Sequence, residues 1–349
     1  MIDRPRVVIL GCGFAGLGAC QSLKGSGADV TLLDKNDYHT FQPLLYQVAT
    51  ATLSPEVVGH SIRDLIDEYD NFHFHQTTVT GIDLDRKVVQ SEGMDAIPYD
   101  YLVMSLGSQV NFFGVEGASE HAFPLYTLRD AVRLKTHVLQ AFENADKDPQ
   151  LVDDGTLNVV VIGGGPTGVE TAGAMAELFR MDFAKDYPNL PVGLAKIILV
   201  DGGAAVLRPF KPELQAYAKQ ALERRGVDVH LGEHVTHVGA ESVTLESGTV
   251  IPSRTVIWAG GLRANPLASL LETELVRGGR VPVTADLSLE AHSEVFVVGD
   301  VAAATDGHSK HVLPQLGAVA LQAGRHAGQN ILHRMAGEAS VPFHYHDKG

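Results

Sequence analysis

The chain has 349 residues, with 27 Lys plus Arg against 42 Asp plus Glu and a formal net charge of -15. This acidic balance disfavours nucleic acid and anionic lipid as partners, and no basic run reverses it locally. Cys12 and Cys20 are the only cysteines. They are too few for a disulfide framework or a four-cysteine metal site, and together with the absence of a signal-peptide pattern they favour a cytoplasmic protein.

A pattern at the N-terminus is repeated in the middle of the chain. Each copy has a short apolar β-branched run, a glycine-rich turn and then a helical pattern, which is typical of the opening of a parallel βαβ unit. The motif glycines are Gly11, Gly13 and Gly16 in the first copy and Gly163, Gly165 and Gly168 in the second. The length and the repeat together predict an α/β fold with two Rossmann-like dinucleotide-binding domains.

Glycines at this spacing let the backbone approach a pyrophosphate, whose charge is stabilised by amide groups at the start of the helix. Each copy leads to a second apolar strand that ends in an acid, Asp34 or Asp201, placed for the ribose hydroxyls. An acid at Asp201 repels a 2'-phosphate, and the nearest following arginine is Arg208, so NAD(H) is favoured over NADP(H). The long spacing from Gly163 to Asp201 predicts an extended helix or insertion through Phe179 to Pro191.

Three further features have two interpretations or little specificity by themselves. Glu170 is expected in the first turn of the second motif's helix, as either a partner of the helix dipole or a group beside the nicotinamide. Val295 to Asp300 is a buried-strand pattern that ends in Gly-Asp, where open α/β sheets bind ligands. The pairs His73 with His75 and His344 with His346 lack a third ligand, so partly exposed strand histidines and no metal are predicted.

Taken together, the two glycine motifs, the strand end at Ser105 to Gly107 and the late Gly299-Asp300 resemble the two-dinucleotide flavoprotein superfamily. In that superfamily FAD uses the first site and NAD(P)H the second. Asp34 to Thr50 resembles the corresponding segment of type II NADH dehydrogenases, the single-subunit NADH:quinone oxidoreductases. Further similar segments are Gly165 to Glu170, Val256 to Gly260 and Asp347 to Gly349.

The resemblance implies which residues bind each cofactor. FAD is expected at Gly11, Gly13, Gly16, Asp34 and Asp300, and NADH at Gly163, Gly165, Gly168 and Asp201. Further expected cofactor-binding positions are Lys35, Val79, Gly107 and Gly261. Glu170 would orient the nicotinamide, and Gln322 would lie on the quinone side. The implied domains are residues 1–113 and 281–349 for FAD, with the NAD domain, 114–280, inserted between them.

The implied reaction is hydride transfer from NADH to the flavin, followed by transfer of two electrons to a quinone. No Cys-x-x-Cys is present for a dithiol relay. Where the family has Ala-Gln-x-Ala-x-Gln, this chain has Gly317 to Gln322, so Ala318 replaces the first glutamine; Gln315 lies one helical turn earlier. Alternatives are an NADH-dependent reductase of a ferredoxin-type protein, and a redox-sensing flavoprotein with little turnover.

Members of that family also continue beyond the segment that matches Asp347 to Gly349, into amphipathic membrane-docking helices. Peripheral contact with the cytoplasmic face of the membrane would therefore use a segment absent from this sequence. A homodimer is a further expectation from the resemblance.

Overall fold

The computed structural model describes residues 4–188, 190–306 and 311–347. The chain forms two compact units, each built from separate segments. Unit 1 comprises Met1–Thr40, Gly59–Gln109 and Leu262–Gly349, and unit 2 comprises Phe41–Val58 and Val110–Gly261. These units are defined by packing, whereas the predicted bounds 1–113, 114–280 and 281–349 are defined by cofactor and remain a prediction.

The described residues form short strands and helices that alternate along much of the chain. The strands are β1 (Arg6–Leu10), β2 (Asp29–Asp34), β3 (Tyr38–Thr40), β4 (Gly59–Ser61), β5 (Phe72–Gln76), β6 (Val79–Asp83), β7 (Val88–Ser91), β8 (Ile97–Pro98), β9 (Tyr101–Met104), β10 (Ser108–Val110), β11 (Ala122–Pro124), β12 (Val159–Ile162), β13 (Ile197–Asp201), β14 (Val227–Leu231), β15 (Val235–Val238), β16 (Ser242–Leu245), β17 (Val250–Pro252), β18 (Thr255–Trp258), β19 (Leu262–Ala264), β20 (Val281–Pro282), β21 (Val295–Val297) and β22 (Ala302–Ala303).

The α-helices are α1 (Phe14–Leu23), α2 (Leu45–Ala49), α3 (Pro55–Val58), α4 (Ile62–Ile66), α5 (Ala118–His121), α6 (Leu128–Lys147), α7 (Gln150–Asp153), α8 (Pro166–Leu178), α9 (Ala184–Asp186), α10 (Pro212–Arg224) and α11 (Gly317–Met335). A π-helical segment, Phe179–Phe183, follows α8. Short 3-10 helices span Gln42–Leu44, Val192–Leu194, Pro266–Leu271, Arg277–Gly279 and Gly299–Val301.

Unit 1 is built on a parallel sheet with the strand order β21-β9-β1-β2-β5. Its central strands β1 and β9 are apolar and buried after their first residues, Arg6 and Tyr101, which is typical of parallel strands covered on both faces. Helices α1 and α11 pack with their backbones almost in contact: a Cβ at Gly18 would lie 2.4 Å from the carbonyl oxygen of Leu321, and one at Gly324 would lie 1.8 Å from that of Ala15. The glycines in these helices therefore permit α1 and α11 to pack this closely.

Unit 2 repeats this plan with the strand order β11-β18-β12-β13-β14, again parallel. In both units the strand before the glycine motif is central and lies beside the strand that ends in the motif's acid. The predicted α/β fold with two Rossmann-like domains is thereby confirmed. Antiparallel sheets β6-β7-β8 in unit 1 and β15-β16-β17 in unit 2 complete the two architectures.

Two features of unit 2 arise within short stretches of the sequence. Thr127 and Asp130 form a capping box at the start of α6, in which each side chain bonds the other residue's backbone amide. The predicted insertion before Asp201 is the π-helical segment with α9, and its Phe179 and Phe183 pack their rings around Phe142. This aromatic cluster explains how a long connection stays folded between two adjacent strands.

Candidate active site

The first glycine loop, residues 11–16, lies at the carboxyl end of β1 in unit 1. Gly11 has a φ of +90°, and a Cβ there would lie 2.8 Å from the carbonyl oxygen of Ser105. A Cβ at Gly16 would lie 1.8 Å from the carbonyl oxygen of Gly11, whereas one at Gly13 would meet no atom within 4 Å. Gly11 and Gly16 therefore let the loop close on itself, and Gly13 leaves open space for a ligand. These residues fit a dinucleotide pyrophosphate at the start of a helix.

Asp34 holds this loop at the end of β2. Its Oδ2 accepts a hydrogen bond from the amide of Cys12 at 2.7 Å, and its Oδ1 accepts one from the amide of Asn36 at 2.8 Å. Burial raises the pKa of the Asp34 carboxyl, while these two amide hydrogen bonds act in the opposite direction. Each carboxylate oxygen has a second acceptor site, so the predicted bond to a ribose hydroxyl is chemically compatible with the loop contacts.

Asp300 lies at the same edge of the unit 1 sheet, in the 3-10 helix that follows β21. Its Oδ2 accepts a hydrogen bond from Ser108 Oγ at 2.9 Å, and its carbonyl oxygen accepts one from Gln315 Nε2 at 3.1 Å. Burial raises the pKa of the Asp300 carboxyl, and the Ser108 hydrogen bond and the charge of Arg280 lower it. The structure therefore brings Asp300, the first glycine loop and Asp34 to one carboxyl edge of one sheet.

The other predicted positions of unit 1 come shortly after strands β2, β5 and β9 of this sheet. Lys35 directly follows β2, and its carbonyl oxygen accepts a hydrogen bond from Gln76 Nε2 at 3.3 Å. Val79 is 8% exposed at the start of β6. Gly107 follows β9 with a φ of +68°, and its carbonyl oxygen accepts a hydrogen bond from the Asn265 amide. Their roles in binding remain predictions.

The second glycine loop, residues 163–168 in unit 2, repeats the first at the level of individual contacts. Gly163 has a φ of +113°, a Cβ at Gly168 would lie 1.8 Å from the Gly163 carbonyl oxygen, and one at Gly165 would meet no atom within 4 Å. Asp201 accepts hydrogen bonds from the amides of Gly164 at 2.7 Å and Gly203 at 2.6 Å. The same chemistry therefore holds both loops, and this one fits a second dinucleotide.

Two residues beside Asp201 were not predicted to be close to it. A Cβ at Gly202 would lie 2.1 Å from Cε1 of His234, and one at Gly203 would lie 2.8 Å from Nε of Arg208. The spacing of Arg208 in the sequence is misleading, because the Leu207 amide bonds the Gly164 carbonyl oxygen at 2.7 Å and turns the chain back toward the loop. For His234 the sequence holds no signal, since it follows a different strand.

Gly261 has a conformational reason to be glycine. Its φ is +77°, and a Cβ there would lie 2.2 Å from Cε2 of Phe113. Its carbonyl oxygen accepts a hydrogen bond from the amide of Asn111, whose own carbonyl oxygen accepts one from Trp258 Nε1. A cofactor contact by Gly261 remains a prediction beside this structural role.

The prediction that Glu170 lies in the first turn of its helix is wrong. Gly165 is the N-cap of α8 and Pro166 its first residue, so Glu170 is the fifth residue and belongs to the second turn. The helix dipole acts mainly within the first turn, which weakens the interpretation of Glu170 as its partner. The side chain is exposed in the structure, yet partial desolvation by its neighbours raises the pKa of its carboxyl.

Gln322 lies on α11 and contacts the C-terminal segment. Its Nε2 donates a hydrogen bond to the carbonyl oxygen of His346 at 3.0 Å, and its Oε1 accepts one from the His346 amide at 3.1 Å. Ala318, one turn earlier on α11, is exposed. Gln315 precedes α11 and bonds Asp300 instead. A role for Gln322 toward an acceptor remains a prediction.

The histidine pairs and the two cysteines form no metal site or disulfide among the described residues. His73 and His75 are exposed on β5 as predicted, but His344 lies in a segment without regular structure, so its prediction as a strand residue is wrong. Among the described residues, no group of three or more His, Cys, Asp or Glu side chains could hold a metal ion. Cys12 and Cys20 are both buried and are not joined by a disulfide.

Comparisons with known proteins agree with this geometry. Residues 5–324 match the family described as pyridine nucleotide-disulphide oxidoreductase. The chain is 36% identical over 363 residues to the type II NADH:quinone oxidoreductase NdhA of Mycobacterium tuberculosis, covering 99% of this chain and 76% of that one. It is 31% identical to a type II NADH:quinone oxidoreductase of Staphylococcus haemolyticus, covering 99% and 87%. The solved structure of NDH2 from Plasmodium falciparum in complex with NADH has the same fold, with a TM-score of 0.91 at 18% identity, covering 99% and 87%.

Proposed function

This chain belongs to the pyridine nucleotide-disulphide oxidoreductase family and, within it, to the type II NADH:quinone oxidoreductases, and on that basis we propose that it transfers electrons from NADH through FAD to a quinone. The observation that carries the proposal is the pair of glycine loops held by equivalent acids, in a chain of which 99% aligns with a named enzyme of that class.

Unit 1 supplies the residues that would hold FAD. FAD, when bound, supplies the two-electron chemistry. The amides of the first turn of α1 lack carbonyl partners within the helix and would face the pyrophosphate at Gly13. Asp34 would accept from the ribose hydroxyls, and Asp300, fixed by Ser108, would accept from the polar chain that joins the ring system to the phosphates.

Unit 2 supplies the residues that would hold NADH. Gly165 leaves space for the pyrophosphate, and Asp201 would accept from the hydroxyls of the adenosine ribose. Its negative charge disfavours the 2'-phosphate of NADPH. Glu170, on the helix that the second loop opens, would orient the nicotinamide.

Two observations favour a quinone as the electron acceptor. The relatives are named as NADH:quinone oxidoreductases, and the chain has no exposed dithiol that could carry the electrons elsewhere. Cys12 and Cys20 are eight positions apart in the sequence and buried, so no exposed dithiol receives the electrons. Gln322 and the exposed Ala318 lie on one face of α11. The resemblance to the family implies that the quinone binds at this face. With Ala318 in place of the family's first glutamine, the quinone would lose one hydrogen-bonding partner.

The protein's quinone substrate bears on where it acts in the cell. No helix in the described part of the chain is long and apolar enough to cross a membrane. A lipid-soluble quinone is met at a membrane surface, so we expect peripheral contact with the cytoplasmic face of the cell membrane. We also expect a homodimer. Cosedimentation with lipid vesicles and analytical ultracentrifugation test these two expectations.

Steady-state oxidation of NADH by the FAD-loaded protein tests the acceptor. We expect NADH oxidation to accelerate when a water-soluble quinone is added and to remain slow with a ferredoxin as the acceptor. Faster turnover with ferredoxin would favour the protein-acceptor alternative. Slow oxidation with both would favour a redox-sensing flavoprotein with little turnover.

A further inference from the structure

His39 is a buried titratable side chain directly behind the first glycine loop. It lies on β3, which pairs antiparallel with β4, and only 5% of the residue is exposed. Its Nδ1 lies 2.7 Å from the carbonyl oxygen of Cys12. A carbonyl oxygen only accepts, so this distance assigns the imidazole proton to Nδ1, which donates.

The peptide groups of Cys12 are therefore held on both sides by side chains. The Cys12 amide donates to Asp34 at 2.7 Å, and the Cys12 carbonyl oxygen accepts from His39 at 2.7 Å. The next residue is Gly13, the position with open space on the ligand side of the loop. Because the peptide group is planar, the direction of the Cys12 carbonyl fixes the plane of the peptide that joins Cys12 to Gly13.

The second glycine loop has the same clamp with a different donor. There the Gly164 amide donates to Asp201 at 2.7 Å, and the Gly164 carbonyl oxygen accepts from the backbone amide of Leu207 at 2.7 Å. A backbone donor cannot be removed by exchanging a side chain, whereas the imidazole can. The two loops of one molecule therefore provide an internal comparison.

The imidazole also touches the helix that the loop opens. The His39 and Phe14 rings meet edge to face, with centroids 5.3 Å apart and an interplanar angle of 85°. Phe14 is the first residue of α1. Burial lowers the pKa of His39, and the charge of His60 acts in the same direction, while the Cys12 hydrogen bond and Asp34 oppose it. A neutral ring with one proton on Nδ1 satisfies the carbonyl in this setting.

We propose that His39 is a positioning residue for FAD, whose Nδ1 hydrogen bond holds the Cys12 carbonyl and keeps the first glycine loop in its cofactor-binding conformation. The inference rests on the proposed function, because it takes FAD as the ligand of this loop. It assigns the role to a residue 27 positions from Cys12, outside the glycine motif and its acid.

Titration of the full-length apoprotein with FAD, followed by flavin fluorescence, tests this assignment with three variants. In His39→Asn the amide nitrogen replaces Nδ1 at nearly the same distance from Cα, so FAD affinity should stay within about twofold of wild type. In His39→Leu the donor is lost, and in His39→Gln it is displaced. Both should bind FAD about fivefold to tenfold more weakly, as expected for one buried hydrogen bond. His60→Leu, at the exposed position paired with His39, is the matched control and should match wild type.

Two further measurements separate positioning from general loss of structure. NADH affinity of each apoprotein should be unchanged, because the second loop keeps its backbone donor, and the melting temperatures of His39→Asn and His39→Gln should agree. Equal FAD affinity in His39→Asn and His39→Gln, or a parallel loss of NADH affinity, would overturn the inference while the proposed function stands. Failure of the wild-type protein to bind FAD would overturn the proposed function, and the inference with it.

Discussion

At the scale of single residues, the carboxylates of Asp34 and Asp201 each accept two backbone hydrogen bonds. One hydrogen bond comes from an amide of the glycine loop, and the other comes from an amide of the segment that follows the acid's own strand. Charge-assisted hydrogen bonds of this kind stabilise by roughly 1.5–3 kcal/mol each. Replacing either acid with a small residue would therefore disturb the loop as well as the proposed ribose contact, and a test of specificity needs an isosteric change.

Dinucleotide preference should change when Asp201→Asn is combined with His234→Arg. The first change removes the anion and keeps one acceptor oxygen for the Gly164 amide of the loop, while the bond from the Gly203 amide is lost. The second change places a cation beside Gly202. Gly202 itself is unsuitable for the arginine because a Cβ there would lie 2.1 Å from the His234 ring. We expect the ratio of kcat/KM for NADH to that for NADPH to fall roughly tenfold. His234→Gln is the control, and an unchanged ratio in the double variant would contradict the role of Asp201.

Glu170→Gln should slow reduction of the flavin by NADH in stopped flow while FAD content stays intact. The change keeps the shape of the side chain and removes its carboxyl group, whose pKa is raised by desolvation. A residue in the second turn contributes less than the usual ~0.3–1 kcal/mol of a helix-dipole partner, so the melting temperature should hardly move. Glu177→Gln, on the same helix and paired with Arg225, is the control. A lower melting temperature with normal reduction would assign Glu170 to stability alone.

At the scale of elements, α11 holds an extended C-terminal segment through one row of side chains. Side chains four residues apart on the helix form hydrogen bonds with residues between Ser340 and His346 of that segment. In this row, Gln322 forms hydrogen bonds with His346, and His326 and Asn330 both bond the carbonyl oxygen of Val341. Arg334 donates to the hydroxyl of Ser340. Phe343 is 2% exposed, and its amide bonds the Ala285 carbonyl oxygen. The segment is therefore part of unit 1 rather than a loose tail, and Gln322 is the row's first member.

Gln322→Ala should lower kcat/KM for quinone about tenfold without changing flavin reduction by NADH. Ala318→Gln should raise kcat/KM for quinone by up to roughly tenfold, since it restores one hydrogen-bonding partner on the same helix face. The control is His326→Leu, which removes a bond to the same C-terminal segment at another position of the row. Equal losses in Gln322→Ala and His326→Leu would mean that Gln322 acts through the segment and does not contact the acceptor.

At the scale of the whole molecule, the buried His39 and the half-buried His137 and His326 link stability to pH. Burial lowers the pKa of His39 and His326 in unit 1 and of His137 in unit 2. Below about pH 6.5 the unfolded chain therefore binds more protons at these sites than the folded chain does. The stability that neutral histidines provide is present above that pH and is lost as the pH falls.

We expect a lower melting temperature at pH 5.5 than at pH 7.5, with part of the difference abolished in His137→Gln. His137 Nε2 bonds the backbone of Arg254 and the hydroxyl of Thr255, which a glutamine amide can also reach. His75→Gln, at an exposed position of β5, should leave the pH dependence unchanged. Identical pH dependence in wild type and His137→Gln would remove His137 from this linkage.

The sequence by itself determined the features that reside in short contiguous segments. Strand, glycine turn, helix and acid follow one another within each motif, and the requirement at Gly11 or Gly163 is a property of the local backbone. The capping box at Thr127 and the insertion before Asp201 are local in the same sense. The fold class, the two dinucleotide loops and the family could therefore be inferred before any coordinates were known.

Only the tertiary structure decided which distant side chains complete these loops. His39 reaches Cys12 because β3 folds back behind the loop, His234 reaches Gly202 from the end of β14, and Gln322 reaches His346 across a turn after α11. The position of Glu170 in its helix depended likewise on where Gly165 caps α8. No periodicity or spacing records such contacts, because they depend on how separate segments pack, and the free energy of packing is shared over the whole core.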